Sequence, residues 1–286
     1  MSSIEAANLF SVKGLVAVVT GGGTGIGLMM AKALEANGAK VYIVGRRLEV
    51  LEKASKEAKH GNLVPLQCDV TSKADLSKIA DHITKADGFI NVLIANSGIQ
   101  GPAGLETLDF NSSITEIQDF LWKPDVDDFT SAYRVNASAV YYSVVAFLGL
   151  LEAGNRKGNV EQKSQVITTS SISGFDRQPN GGFAYCTSKA ASTHLMKEFA
   201  TVMAPHHLRF NILAPGIYPS EMAADFIDRL FPDGTFPKTI IPLERAGSIE
   251  DMAGAILFLT SRAGAYLNGN VLVTDGGRLS VTQATY

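Results

Sequence analysis

A phenol and an ammonium stand four residues apart in Tyr185-Cys-Thr-Ser-Lys189. The apolar spacing around them predicts a helix from Ala184 to Met203, and on a helix that step puts both side chains on one face. An ammonium near a phenol favours the phenolate and lowers the tyrosine pKa from its reference of about 10. Such a tyrosine exchanges a proton with an alcohol near neutral pH. Upstream, Ser170-Ser171-Ile-Ser-Gly174 follows an apolar run that ends near Thr169. A serine at the C-terminal end of a strand points into the crevice where open α/β sheets take ligands. Ser171 is placed there to hold a substrate oxygen for the tyrosine, while Ser170 and Ser173 read as turn residues.

A second cluster lies near the start of the chain. Thr20-Gly-Gly-Gly-Thr-Gly-Ile-Gly27 falls between a β-branched run and a helical pattern. Gly21, Gly25 and Gly27 are the spaced glycines, with Thr24 and Ile26 between them. At such a turn the backbone bends sharply, a pyrophosphate approaches it closely, and a helix packs against a strand. The helix N-terminus then faces the phosphates with its partial positive charge. The next strand ends in Gly45-Arg46-Arg47, where a carboxylate would bind the ribose hydroxyls of NAD(H). Glycine leaves room there, and an arginine holds a 2′-phosphate through charge-assisted hydrogen bonds. This pattern favours NADP(H), with Arg46 ahead of Arg47. The competing reading pairs either arginine with Glu49 or Glu52 on the following helix.

Elements that position these groups alternate along the chain. Strands are expected at 16–20, 41–44, 63–67, 92–95, 165–169, 209–214 and 271–273, and helices at 26–37, 48–59, 73–86, 127–151 and 184–203. Short apolar strands separated by helices read as a parallel sheet covered on both faces. Right-handed crossovers make it doubly wound. The expected fold is therefore α/β: one Rossmann-like domain over residues 1–286, with about seven strands, helices on both faces and a core at about 14–277. Polar segments near 100–125 and 153–163 read as insertions.

Composition narrows the function classes. Of 286 residues, 46% are hydrophobic and 19% charged, enough apolar material for one large core. A net charge of -3 offers no basic face for nucleic acid. Two cysteines, Cys68 and Cys186, make no disulfide framework and suit a reducing compartment. Five histidines lack metal-ligand spacing, so no metal site is expected. No apolar run reaches the ~20 residues of a membrane span, and a cytoplasmic protein is expected.

Together these motifs resemble the classical short-chain dehydrogenase/reductase family from about Gly14 to Gly277. The glycine turn, Cys68-Asp69-Val70, Ala95-Asn96-Ser97-Gly98, Asn136, Ser171, Tyr185 with Lys189, Pro215-Gly216 and Asp275-Gly-Gly277 occur in the family's order. The resemblance implies an oxidoreductase that moves a hydride between a nicotinamide and a carbonyl or alcohol carbon. In it Tyr185 is the general acid/base, and Lys189 binds the nicotinamide ribose and lowers the tyrosine pKa. Ser171 binds the carbonyl oxygen, and Asn136 holds a water that links Lys189 to solvent. Asp69 and Val70 contact the adenine, Asn96 and Gly98 lie along the cofactor, and Pro215, Gly216, Ile217 and Ser220 meet the nicotinamide end. The segment 219–242, with Met222, Phe226, Leu230, Phe231 and Phe236, covers the cleft in the family. Those residues either line an apolar pocket or seat a helix on the core. Phe120 and Trp122 of the first insertion are candidates for the entrance. The implied substrate is a small-molecule ketone or 3-oxo compound of medium or bulky apolar kind. The expected assembly is a homodimer or homotetramer through the 127–151 helix and the Tyr185 helix. Three departures stand out, one of them Ser220, a serine where the family has a threonine, which keeps a hydroxyl. The family's first asparagine is Ala95 here, and Ser171 and Tyr185 are 14 positions apart, about one more than the family spacing. Ser170 is the alternative catalytic serine that this spacing leaves open. Rival functions on the same fold are an epimerase- or dehydratase-like enzyme and a dinucleotide sensor.

Overall fold

The central strands of this chain are buried on both faces. Val16–Thr20 (β1) and Gln165–Thr169 (β5) bury every side chain, so no polar alternation is possible. In the computed structural model, which describes residues 4–286 apart from 103, 225, 226, 228–230 and 232, seven strands form one parallel sheet. The others are Lys40–Gly45 (β2), Leu63–Gln67 (β3), Val92–Ala95 (β4), Arg209–Pro215 (β6) and Val271–Thr274 (β7). Their order is β3-β2-β1-β4-β5-β6-β7, which reverses direction between β1 and β4. At such a switch point the loops at the C-terminal strand ends diverge and leave a crevice.

Helices cover both faces. Gly25–Ala36 (α2), Leu48–Ser55 (α3) and Ile249–Thr260 (α9) pack on one side through Met30, Leu34, Leu51, Met252 and Ile256; a four-residue helix, Ala6–Leu9 (α1), precedes β1. Lys73–Ala86 (α4), Ala139–Lys157 (α7) and Phe183–Val202 (α8) pack on the other, through Ile79, Ile83, Phe147, Leu151 and Met196. Each such fully buried side chain contributes roughly 1.5–3 kcal/mol.

Several expectations change in detail. The helix expected over 48–59 stops at Ser55. Glu35 reaches across and accepts the N–H groups of Lys59 (2.9 Å) and His60 (2.6 Å), which pulls that stretch out of the helix. The insertion near 100–125 contains Ile114–Leu121 (α5), started by a capping box between Ser113 and Glu116. The helix expected over 127–151 is longer and interrupted: Val126–Tyr133 (α6), a π turn at Arg134–Ser138, then α7. Its last turns run into the second expected insertion and end at Gly158, whose positive φ of 60° closes the helix. By length and composition Val126–Lys157 matches a membrane span, with mean hydropathy 1.4. That apolarity is used inside the fold, where Val140, Val144, Phe147 and Leu151 pack on the sheet.

Candidate active site

The crevice is a cleft of about 770 Å³ across the strand ends. At one end the turn after β1 wraps over the N-terminus of α2. Gly21 adopts a φ of 64°, and a Cβ on Gly27 would collide with the Gly21 carbonyl oxygen. Only glycine allows that approach. The turn is locked from the β4 side: Asn96 Nδ2 donates to the Thr20 carbonyl (3.0 Å), and Thr20 Oγ1 accepts from the N–H groups of Asn96 (3.0 Å) and Ser97 (3.1 Å). Thr24 starts α2 without a side-chain cap, so the leading N–H groups lack that partner. An uncapped helix N-terminus at a glycine turn, opening on a roomy cleft, fits a dinucleotide pyrophosphate. Thr169 also borders the cleft, and its buried hydroxyl has no hydrogen-bond partner among the described residues.

Arg46, Arg47, Asp69 and Val70 line the adenosine-side end. The Thr71 backbone N–H, and more weakly the Arg46 charge, hold the Asp69 carboxyl below its usual range. Neither arginine pairs with Glu49 or Glu52. Arg47 instead forms a two-pronged contact with Glu221, which follows β6 in space across the cleft (3.2 and 2.9 Å).

Ser171, Tyr185 and Lys189 converge at the other end. Ser171 lies two residues past β5 in extended conformation and caps the following 3-10 turn by accepting from the Ser173 N–H. Ser170 points the other way, bonded to the Lys189 carbonyl and Thr193 Oγ1 inside α8. Ser170 reads as a turn residue in the sequence, but its N–H continues the β5–β6 pairing by donating to the Leu213 carbonyl. Lys189 lies 5.7 Å from the Tyr185 ring centre and donates to the Thr169 carbonyl at 2.7 Å. Burial lowers its pKa to about 8. Burial raises the Tyr185 phenol, and the Ser171 hydroxyl beside it pulls it only part of the way back.

Asn136 lies one layer behind the cleft. Its Nδ2 donates to the Ile99 carbonyl and Ser188 Oγ (both 2.9 Å), and its Oδ1 accepts from the Ile99 N–H (2.9 Å). It sits inside the π turn, whose extra residue lets the helix bend around this three-way contact. Gly25, Ile26, Gly98, Pro215, Gly216 and Ser220 also line the cleft, but Ile217 does not. Ile217 borders a separate small cavity beside Tyr218, and its carbonyl accepts from the Gly247 N–H. In the 219–242 segment Met222 lines the cleft, whereas Phe236 is buried with its ring 4.2 Å from that of Phe231, seating the segment. Phe226 and Leu230 lie outside the described residues. Phe120 approaches Gly104, and Trp122 is 85% exposed. Sequence reasoning missed Ser131, Arg134 and Glu221 as cleft residues. Ser131 lies in α6 and Arg134 opens the π turn after it, and no local pattern marked any of the three.

A doubly wound sheet with a dinucleotide cradle at one end of its crevice and a Ser-Tyr-Lys group at the other defines a nicotinamide-dependent oxidoreductase. The family model described as Enoyl-(Acyl carrier protein) reductase matches residues 21–278. The chain belongs to the short-chain dehydrogenase/reductase family, and as such binds a nicotinamide dinucleotide and acts on small molecules. It is 56% identical to the short-chain dehydrogenase/reductase PhomF of Diaporthe leptostromiformis, over 99% of this chain and 98% of that one. Among solved structures it is similar to the Pseudomonas aeruginosa RhlG/NADP active-site complex (28% identity, TM-score 0.78, covering 94% of this chain and 98% of that chain). It is also similar to 3-ketoacyl-(acyl-carrier-protein) reductase from Brucella melitensis complexed with NADH (25%, 0.75, 94% and 99%).

Proposed function

We propose that this protein is an NADP(H)-dependent ketoreductase that interconverts a ketone or 3-oxo carbonyl and a secondary alcohol. The observation that carries the reading is one continuous cleft with Ser171, Tyr185 and Lys189 at one end and Arg46 at the other, and no carboxylate at the end of β2. Glycine at that strand end leaves space for a 2′-phosphate, and Arg46 supplies its charge partner. The similarity to a structure titled as an NADP complex supports this choice, against a more distant NADH one.

When bound, the dinucleotide supplies or accepts the hydride. The chain's residues handle the oxygen and the proton. Ser171 donates a hydrogen bond to the carbonyl oxygen. Tyr185, kept as the phenol by burial, protonates that oxygen as negative charge develops on it. Lys189 orients the ribose and adds positive charge behind the tyrosine. Asn136 Oδ1 retains a lone pair for a water that resupplies the proton. Gly21, Thr24, Gly25, Ile26 and Gly27 hold the pyrophosphate, Asp69 and Val70 the adenine, and Asn96, Gly98, Pro215, Gly216 and Ser220 the remaining length. Met222 gives the substrate end an apolar wall suited to an apolar ketone. The reading includes self-association through α7 and α8, and a cytoplasmic site of action consistent with two free cysteines.

Absorbance at 340 nm with NADPH or NADH against a panel of ketones and 3-oxo esters tests it. NADPH is expected to be oxidised well ahead of NADH, and Tyr185→Phe to lose about 100-fold or more in kcat. NADH preference would overturn the 2′-phosphate assignment, and an active Tyr185→Phe would overturn the proton donor.

A further inference from the structure

The two arginines at the end of β2 differ in their surroundings. Among the described residues the Arg46 side chain has no ion pair, and its backbone carbonyl is held by Gln67 Nε2 at 2.9 Å. The Arg47 guanidinium is already engaged: one of its nitrogens contacts both carboxylate oxygens of Glu221, at 3.2 and 2.9 Å. These partners are 174 positions apart and belong to opposite rims of the cleft, which both of them line. Arg47 follows β2 on the glycine-turn side. Glu221 follows β6, directly after Ser220. A Cβ placed on Gly25 would lie 3.0 Å from Ser220 Cβ, so this stretch passes over the start of α2. The ion pair therefore bridges the cleft mouth over the place where the helix N-terminus meets the pyrophosphate.

We infer that Arg47 and Glu221 form a clasp that retains the dinucleotide, and that only Arg46 reads the 2′-phosphate. Part of this inference, the role of Arg46, rests on the NADP(H) reading above; the clasp does not. A dinucleotide leaving the cleft passes between the two rims, so breaking the pair speeds its departure whatever its 2′ substituent. Both side chains are more than half exposed, which sets the scale. An exposed pair changes an equilibrium or a rate by about two- to five-fold, and salt weakens it.

Stopped-flow fluorescence of bound NADPH and NADH, displaced by excess unlabelled dinucleotide, measures the dissociation rate directly. Glu221→Gln and Arg47→Ala are each expected to raise that rate about two- to five-fold for both dinucleotides. The double variant should do no more than either single one, because both remove the same contact. At 1 M salt the wild type should approach the variants. Arg46→Ala should instead weaken NADPH about ten- to hundredfold and leave NADH unchanged. Amide exchange at 218–224 in the cofactor-free protein should also quicken in Glu221→Gln. An unchanged dissociation rate in Glu221→Gln would overturn the clasp. So would a loss in Arg47→Ala confined to NADPH, which would make Arg47 a phosphate ligand. A wild type that binds NADH more tightly than NADPH would sink the 2′-phosphate reading, while the NADH rates still decide the clasp.

Discussion

Lys189 is a cation enclosed in the fold without a carboxylate against it. Its ammonium donates to the Thr169 carbonyl, and burial takes its pKa from 10.5 to about 8. This has a consequence for stability. Below pH 8 the folded and unfolded chains both hold the proton, and the fold carries the full burial cost, on the order of 3 kcal/mol. As pH rises through about 8 the folded form releases the proton while the unfolded chain keeps it. Stability from this group therefore climbs up to the unfolded pKa and is level beyond it. Melting temperatures of the cofactor-free protein between pH 7 and 10.5 are expected to rise relative to those of Lys189→Met. Parallel curves would mean that the buried lysine keeps its proton. The cost has a functional reason, because an uncompensated ammonium is ready to meet an anionic dinucleotide and to act on the neighbouring phenol.

At the scale of elements, the chain beyond β7 ties the site together. Arg177 N–H donates to the Gln283 carbonyl (2.7 Å), Thr285 N–H donates to the Phe175 carbonyl (2.8 Å), and the Phe175 and Tyr286 rings meet edge-on at 5.2 Å. The segment held this way joins Ser171 to Tyr185, the stretch that is about one residue longer than the family spacing. Removing residues 283–286 should loosen it. The expected result is a kcat/KM lower by roughly ten- to hundredfold with the NADPH dissociation constant little changed. Loss of NADPH binding in step with activity would show a general structural role instead. The sequence made the sheet legible because strands buried on both faces leave short, mostly apolar runs between helical patterns. It made Ser171, Tyr185, Lys189 and the glycine turn legible because their chemistry depends on local spacing. The tail contact, the π turn at Arg134–Ser138 and the Arg47–Glu221 pair were not legible, since each is set by a partner far away in the chain. Ile217 is expected at the nicotinamide end, and its carbonyl accepts from the Gly247 N–H beside the buried Tyr218.

The whole molecule leaves one helix face unaccounted for by its own core. On α7, Val140, Val144 and Phe147 pack inward, whereas Tyr141, Tyr142 and Val145 are 40–44% exposed. A groove of about 460 Å³ between α4 and α7 runs beside Tyr142 and Val145, floored by Gly149. Tyr141 packs on Phe199 and Tyr142 lies under Lys73, yet much of this face stays exposed, and a two-fold pairing buries the same patch twice. A homodimer or homotetramer is therefore expected by light scattering at micromolar concentration, and Val145→Glu should shift it toward monomers. The π turn adds a functional consequence, because the helix that carries this face also carries Asn136. A separated protomer loses its packing on that helix, so specific activity of the Val145→Glu variant should fall along with its melting temperature. A wild type that is monomeric at those concentrations, with undiminished activity on dilution, would mean that the face serves another purpose and that one copy completes the site alone.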